Sequence, residues 1–164
     1  MNVDGEYEET VEKRTGKTDE VIELNPKAEK GFTYEENISI PRGKVLVDGS
    51  TVLKLYFSRN KYSVKLESEA GIEKVEGAKE YYYGSEVIIN AKAKDGYVWN
   101  SWKNDGQEVS KDQNYTFSMP AENVELIAKA DAVEYTINYE LNGGEVRTEN
   151  PVNYTVETES FTLN

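Results

Sequence analysis

Aromatic side chains with the geometry to stack on a sugar ring are concentrated in the middle of the sequence. Three consecutive tyrosines, Tyr81, Tyr82 and Tyr83, precede the two tryptophans of the chain, Trp99 and Trp102. An aromatic ring that keeps one apolar face exposed can bind carbohydrate, so Tyr81, Tyr82, Tyr83 and Trp102 are the candidate ligand-binding residues. The alternative is that these rings form a small core, because small domains need large side chains to bury enough area. We expect Trp99 to be mostly buried, Trp102 to be at least partly buried, and one face of the tyrosine segment to be exposed.

Side chains for catalysis or metal binding are scarce. The 164-residue chain contains no cysteine and no histidine, which excludes thiol nucleophiles, thiolate or imidazole zinc sites and histidine-dependent triads. Acidic residues are abundant, but no pair of them lies in a recognisable glycosidase context. Four residues with oxygen ligands lie near one turn, Asp95, Asn104, Asp105 and Asp112, and their spacing does not follow an EF-hand loop. We therefore predict no enzymatic activity, no cofactor and no metal site.

The charge of the chain restricts its partners. The formal net charge is −12, from 31 acidic and 19 basic residues. A nucleic acid would be repelled by this charge, and no long basic run is present to bind one. No apolar run is long enough to cross a bilayer, so we expect no membrane insertion in this segment. No signal peptide opens the sequence, and we expect export and anchoring signals to lie outside it.

Alternating apolar and polar residues dominate the sequence and predict short β-strands. The clearest of these strands are residues 62–66, 86–93 and 124–130. Residues 51–57 alternate in the same way and follow an Asp-Gly turn at residues 48–50, which together predict a β-hairpin. No segment shows a convincing apolar stripe with a helical period. We predict a β-rich fold, between all-β and α+β, made of tandem small modules with little helix.

Internal repetition organises these strands into three related copies. A glycine followed by a ring-x-ring motif occurs at Gly31 and again at Gly96. Each instance is followed by an apolar strand, a charged joint and a new strand of the form Tyr-x-Val or Tyr-x-Ile. We predict a first module at residues 1–60 that lacks its first strand, a complete repeat at residues 61–131, and the N-terminal part of a third repeat at residues 132–164.

The incomplete outer copies allow two interpretations. In the first, the third copy is poorly ordered or packs on the complete middle copy. In the second, the surplus strand at residues 134–140 fills the empty edge of copy one in a neighbouring molecule, as in strand complementation. The charged residues Glu134 and Glu140 oppose such pairing, because charges on an edge strand disfavour edge-to-edge association.

Three motifs of the sequence resemble known repeats of bacterial surface proteins. Copy two opens with a Tyr-Ser-Val-Lys strand, contains the Gly-ring-x-ring motif with both tryptophans, and has a Phe-x-Met-Pro-Ala-x-x-Val run at residues 117–124. These features are similar to those of the divergent internalin B-type repeat. Residues 135–164 look like the start of a Listeria–Bacteroides B-repeat, and residues 48–56 are similar to mucin-binding-protein-like repeats.

The resemblance implies small β-rich modules, several of them β-grasp-like, in secreted or wall-anchored proteins of Gram-positive bacteria. It implies a location outside the cell, at the cell surface or in the cell wall. It also implies a non-catalytic role as a stalk or spacer, and adhesion to a host glycoprotein, a glycan or a cell-wall polymer. The alternative function is a carbohydrate-binding or glycoprotein-binding module that uses exposed aromatic residues. Neighbouring repeats of the parent chain are the remaining expected partners.

Overall fold

The protein is β-rich, as predicted. A computed structural model describes residues 8–145 and 150–162. Within these residues the chain forms fourteen strands and one 3-10 turn, Glu36–Ile38, and no α-helix. The structure therefore lies at the all-β end of the predicted range, and the helix that packs across the sheet of a β-grasp fold is not seen in this part of the chain.

The strands before residue 60 form two separate antiparallel pairs. The first pair joins β1 (Val21–Glu23) to β3 (Arg42–Lys44). The second pair joins β2 (Phe32–Tyr34) to β4 (Phe57–Arg59). Two-stranded sheets as short as these have little stability of their own, so the four strands depend on the packing around them.

The strands between residues 61 and 132 form two larger sheets. The five-stranded sheet has the order β10-β9-β12-β5-β7, and the three-stranded sheet has the order β11-β8-β6. Buried and exposed residues alternate along the long strands β8 and β12, which gives each of these strands one apolar face. The strands are β5 (Lys61–Ser68), β6 (Ile72–Glu76), β7 (Glu80–Tyr82), β8 (Glu86–Ala93), β9 (Tyr97–Asn104), β10 (Gln107–Ser110), β11 (Asn114–Ser118) and β12 (Val124–Ala132).

The last two strands form an antiparallel pair, β13 (Tyr135–Thr136) with β14 (Asn153–Tyr154). The rings of Tyr135 and Tyr154 stack with centroids 5.3 Å apart. A further backbone hydrogen bond, from the amide of Ile137 to the carbonyl of Val152 at 2.7 Å, extends the pairing.

The chain divides into two compact units that do not coincide with the sequence copies. The first unit comprises Met1–Val64, Lys79–Val87 and Phe117–Val124. The second unit comprises Lys65–Ala78, Ile88–Thr116 and Glu125–Asn164. Each unit thus combines residues from two neighbouring copies.

The buried apolar side chains of the described residues all lie between residues 64 and 130. Their burial explains why the middle of the chain carries the long strands, since burial of apolar area is the main term that stabilises a sheet. In unit one these side chains are Val64, Val87 and Met119, and in unit two they are Ile72, Ile89, Ala91, Trp102, Leu126, Ala128 and Ala130.

The predicted hairpin at residues 51–57 is wrong. The turn is present, but the Thr51 hydroxyl accepts a hydrogen bond from the amide of Leu46 and donates one to the carbonyl of Lys44, at 2.8 and 2.9 Å. A side chain therefore replaces the backbone ladder beside the turn. Only Lys54 pairs further along, in an isolated antiparallel bridge with Ile40. The strand itself begins at Phe57.

Candidate functional site

The three candidate tyrosines lie at the edge of the five-stranded sheet. Tyr81 and Tyr82 belong to β7, which pairs antiparallel with β5 so that Tyr81 lies opposite Tyr62. Tyr83 follows directly after the strand. All three side chains are half-buried. The expected alternation between one packed face and one exposed face is therefore not seen at these positions.

Two lysines lie over the rings of the tyrosine strand. The Lys61 ammonium is 5.0 Å from the centroid of Tyr82, and the Lys79 ammonium is 4.9 Å from the centroid of Tyr81. Both distances lie within the range of favourable cation–π contacts. Burial raises the pKa of the Tyr81 hydroxyl, because desolvation disfavours the phenolate. One face of each ring is thus already in contact with a side chain of the same protein.

Trp102 is fully buried, with 0% of its side chain exposed. Its indole N–H donates to the carbonyl of Gln113 at 3.3 Å, and its ring meets that of Trp99 edge-on with centroids 5.4 Å apart. A register shift in the pairing with β12 leaves Asn100 without a direct partner, and both Ser101 and Trp102, which follow it, are buried. Trp102 therefore presents no ring face to a ligand, whereas Trp99 is half-buried.

Tyr83 belongs to a joint between copy one and copy two, which we call joint one. Its amide donates to the carbonyl of Asn60, and its carbonyl accepts from the Arg59 guanidinium, each at 2.8 Å. Its ring meets Phe32 edge-on, with centroids 5.6 Å apart. The amide of Asn60 donates in turn to the carbonyl of Gly31 at 2.8 Å. Hydrogen bonds therefore connect backbone segments of both copies at this point.

Gly31 is required at joint one for two reasons. Its φ angle is +90°, a left-handed conformation that glycine adopts without steric cost. A Cβ atom at this position would also overlap the ring of Tyr83. The Gly-ring-x-ring motif thus provides the surface against which the next copy packs.

A second joint, joint two, has the same construction between copy two and the third segment. Gly96 has a φ angle of +80°, and a Cβ atom there would overlap the side chain of Val156. The amide of Val133 donates to the carbonyl of Gly96 at 2.8 Å. The Tyr97 hydroxyl donates to Oε1 of Glu157 at 2.9 Å, and this hydrogen bond raises the pKa of Tyr97.

The strand register is the same at both joints. In joint one, Phe32 pairs with Arg59 and Tyr34 pairs with Phe57. In joint two, the residues in the same places of the repeat form the same pairs, Tyr97 with Ala132 and Trp99 with Ala130. The copies therefore agree residue by residue at their ends, although copy one is shorter between Gly31 and Asn60 than copy two is between Gly96 and Val133.

The number of residues that separates Arg59 from Ala132 also separates Tyr62 from Tyr135 and Tyr81 from Tyr154, so the same offset relates β5–β7 to β13–β14. Tyr62 lies opposite Tyr81 in one sheet, and Tyr135 lies opposite Tyr154 in the other. The hydrogen bond from the amide of Ile137 to Val152 repeats that from the amide of Val64 to Lys79 at 2.9 Å. The start of the third copy thus adopts the backbone pairing of the start of the second.

The extent of this unit can be compared with known families. Residues 62–134, which we call the B-repeat segment, match the divergent InlB B-repeat domain family. The match begins at Tyr62 and ends directly before its counterpart Tyr135, so it covers one period of the repeat and supports the resemblance to internalin B-type repeats. It does not extend to residues 1–60, so the likeness to mucin-binding-protein-like repeats stays a prediction. No curated protein and no solved structure matches the chain at a significant level.

B-repeat domains are found in surface proteins and are non-catalytic repeat modules. Within residues 8–145 and 150–162, no group of three or more acidic side chains has the arrangement of a metal site. The same residues form no helix that is long and apolar enough to cross a membrane. The ion pairs found there lie at the surface and contribute little stability each.

Proposed function

We propose that the chain is a spacer segment of an extracellular surface protein, built from repeats that are connected through a recurring hydrogen-bonded joint. In this proposal residues 1–60, 61–131 and 132–164 belong to three successive repeats. The role is to hold another part of the parent protein away from the cell surface or cell wall. It requires no catalytic residue, no cofactor and no metal.

The observation that carries the proposal is the duplicated joint. Asn60 and Val133 donate to the carbonyls of Gly31 and Gly96, and both glycines contact a side chain of the following copy. A linker between independent binding modules needs only flexible polar residues. Close packing with a repeated register is instead the arrangement that keeps the angle between successive repeats constant.

The spacer role can be tested with tandem chains that contain two, three or four copies of residues 61–133. We expect the maximum dimension, measured by small-angle X-ray scattering, to rise by a constant increment for each added repeat. Growth close to the square root of the repeat number would contradict the spacer role, because that is the behaviour of a flexible chain. Valine in place of Gly96 in every repeat is the matched control, and we expect it to lower the increment by opening the joints.

Adhesion to a glycan or glycoprotein is the second candidate function. It is favoured by the three adjacent tyrosines Tyr81, Tyr82 and Tyr83, whose rings are half-buried rather than fully packed. Trp102 is left out of this candidate because its ring is buried. A screen of glycans and mucins with the wild-type chain and the Tyr82→Ala variant tests it. Binding that is lost in the variant would support adhesion, and no binding by the wild-type chain at millimolar ligand would exclude it.

A further inference from the structure

The central strand β5 has a neighbour on each edge. It lies between β12 and β7 in the five-stranded sheet. On the β12 side the amide of Ser63 donates to the Asn123 side chain at 2.9 Å, and the amide of Glu69 donates to the carbonyl of Ala128 at 3.0 Å. A complete repeat therefore uses both edges of its first strand.

The counterpart of β5 in the third copy uses one edge only. The offset between the copies carries Tyr62 to Tyr135, and β13 pairs with β14 as β5 pairs with β7. Within residues 8–145 and 150–162, β13 has no second neighbour in its sheet. The edge of β13 that corresponds to the β12 side of β5 is consequently open in the described part of the chain.

Copy one contains the complementary open edge. The same offset relates residues 51–59 to the end of β12, because Phe57 and Ala130 occupy the same place in the register. Lys54 directs its amide and carbonyl to Ile40, so Leu53 and Leu55 direct theirs to the opposite edge. In the described residues no hydrogen bond is formed by the backbone of Leu53 or Leu55.

A groove of about 1000 Å³ runs along this edge. Residues 51–57 line it together with residues 8–14 of the N-terminal arm, which forms no strand there. Leu53 and Leu55 are half-buried, whereas their counterparts Leu126 and Ala128 are 3% and 0% exposed. An added strand would raise the burial of the two leucines towards that of their counterparts.

Exposed apolar side chains are concentrated in the same two outer copies. Among the described residues, three large apolar side chains of residues 61–131 are exposed, against seven before residue 60 and six after residue 132. These side chains are apolar area that an added strand or a partner surface would cover. The outer set comprises Val11, Val21, Ile38, Ile40, Leu46, Val47, Val52, Tyr135, Leu141, Val152, Tyr154, Val156 and Phe161.

We propose that β13 and the residues that follow it, up to Tyr139, pair with the edge formed by residues 52–55 of a second copy of this chain. The pairing reproduces the β5–β12 contact of the B-repeat segment with strands from two molecules. It rests on the equivalence of the copies and does not depend on the spacer role. Each chain carries one donor strand and one acceptor edge at different places, so the association is head-to-tail and open-ended.

Light scattering of the wild-type chain over a range of concentrations gives the first test. We expect the average mass to rise above the 18.6 kDa of one chain towards two and then more copies. Salt should strengthen the association, because both molecules carry a net charge of −12 that repels at low ionic strength. A strict monomer at millimolar concentration in high salt would overturn the proposal.

Two proline variants give the sharper test, because proline removes one amide from a strand edge. Leu55→Pro blocks the acceptor edge. Thr136→Pro blocks the open edge of β13, because the amide of Ile137 donates towards the β14 side, to Val152, and the neighbouring amide of Thr136 therefore points to the other edge. We expect each variant to be monomeric alone. When the two variants are mixed, we expect a 1:1 dimer to which no further chain adds.

The tryptophans control for folding in this experiment. Trp99 and Trp102 lie in the B-repeat segment, away from both substitutions in the sequence, so the tryptophan fluorescence of each variant should equal that of the wild type. Association of either variant alone to the same extent as the wild type would overturn the proposal. So would a mixture that stays monomeric under conditions in which the wild-type chain associates.

Discussion

Joint one and joint two share their backbone and differ in their side chains. Both place a glycine of positive φ against the following copy and accept one amide hydrogen bond of 2.8 Å on the glycine carbonyl. Joint one adds the Phe32–Tyr83 ring pair and the Arg59 hydrogen bond. Joint two has Val156, which is 50% exposed, and the Tyr97–Glu157 hydrogen bond.

The difference shows which part of a joint defines the repeat. The conformation of the glycine and the register of the strands recur, so these features fix how successive copies connect. The side chains that cover the glycine differ between the joints, so they determine the stability of each joint. We therefore expect joint one to be the more stable of the two, since an aromatic pair buries more area than a half-exposed valine.

Alanine in place of either glycine should have the largest effect. A left-handed non-glycine residue costs about 1–3 kcal/mol and overpacking costs a similar amount, so we expect each variant to lose roughly 2–6 kcal/mol of local stability. Native-state hydrogen exchange measures this loss at the amide of Asn60 for Gly31→Ala and at that of Val133 for Gly96→Ala.

Gly106→Ala is the matched control for these two variants. Gly106 also has a positive φ, +78°, but a Cβ there meets no atom within 4 Å. This variant should show the conformational strain without the clash. Equal losses for Gly106→Ala and Gly96→Ala at the Val133 amide would contradict the account of the joint.

Truncation of the side chains that cover the glycines should lower stability more at joint one than at joint two. Tyr83→Ala removes a half-buried ring and its contact with Phe32, and we expect about 1.5–3 kcal/mol of lost protection at the Asn60 amide. Val156→Ala removes two methyl groups from a half-exposed site, and we expect less than about 1 kcal/mol at the Val133 amide. Equal losses at the two amides would contradict the ranking of the joints.

Tyrosine in place of Val156 should make the stability of joint two closer to that of joint one. A ring there would face Tyr97, which occupies the place of Phe32, and an aromatic pair contributes about 0.5–1.5 kcal/mol beyond its buried area. We expect slower exchange of the Val133 amide in Val156→Tyr. Unchanged or faster exchange would show that the two joints differ in more than the covering side chain.

The hydrogen bond of Tyr97 should give the smallest effect, and one that depends on pH. Donation to Glu157 raises the pKa of Tyr97 above its ordinary value of 10.0. Its contribution to stability is therefore complete below that ordinary value and is lost as the pH rises through the higher folded-state value. We expect Val133 protection to fall with alkaline pH more steeply in the wild type than in Tyr97→Phe, and parallel curves would contradict this.

The sequence predicts the long strands well and the short ones poorly. Strand β8 has the predicted bounds, because the apolar residues Val87, Ile89 and Ala91 recur at every second position and form one buried face, although Ile88 between them is exposed. Strands β6 and β10 are not predicted, since they are short, largely polar and formed by pairing with β8 and β9. Pairing of this kind depends on a partner elsewhere in the chain and leaves little periodicity in the sequence.

The joints are the part of the candidate site that sequence analysis misses. The repetition of the Gly-ring-x-ring motif is visible at Gly31 and Gly96, but by itself it suggests rings that form a small core within each copy. The contacts of these glycines with Tyr83 and Val156 connect positions that are far apart in the sequence, so no local pattern records them. The signal that could have located the joints is the common offset that carries both Asn60 to Val133 and Tyr62 to Tyr135.

The most direct test of the repeated joint is hydrogen exchange of two amides in the wild-type chain. We expect the amides of Asn60 and Val133 both to be protected, because each donates to a glycine carbonyl at 2.8 Å. We also expect the Asn60 amide to exchange more slowly than the Val133 amide. Exchange of the Val133 amide at the rate of an unstructured peptide, with Asn60 protected, would contradict the claim that the two joints are one repeated structure.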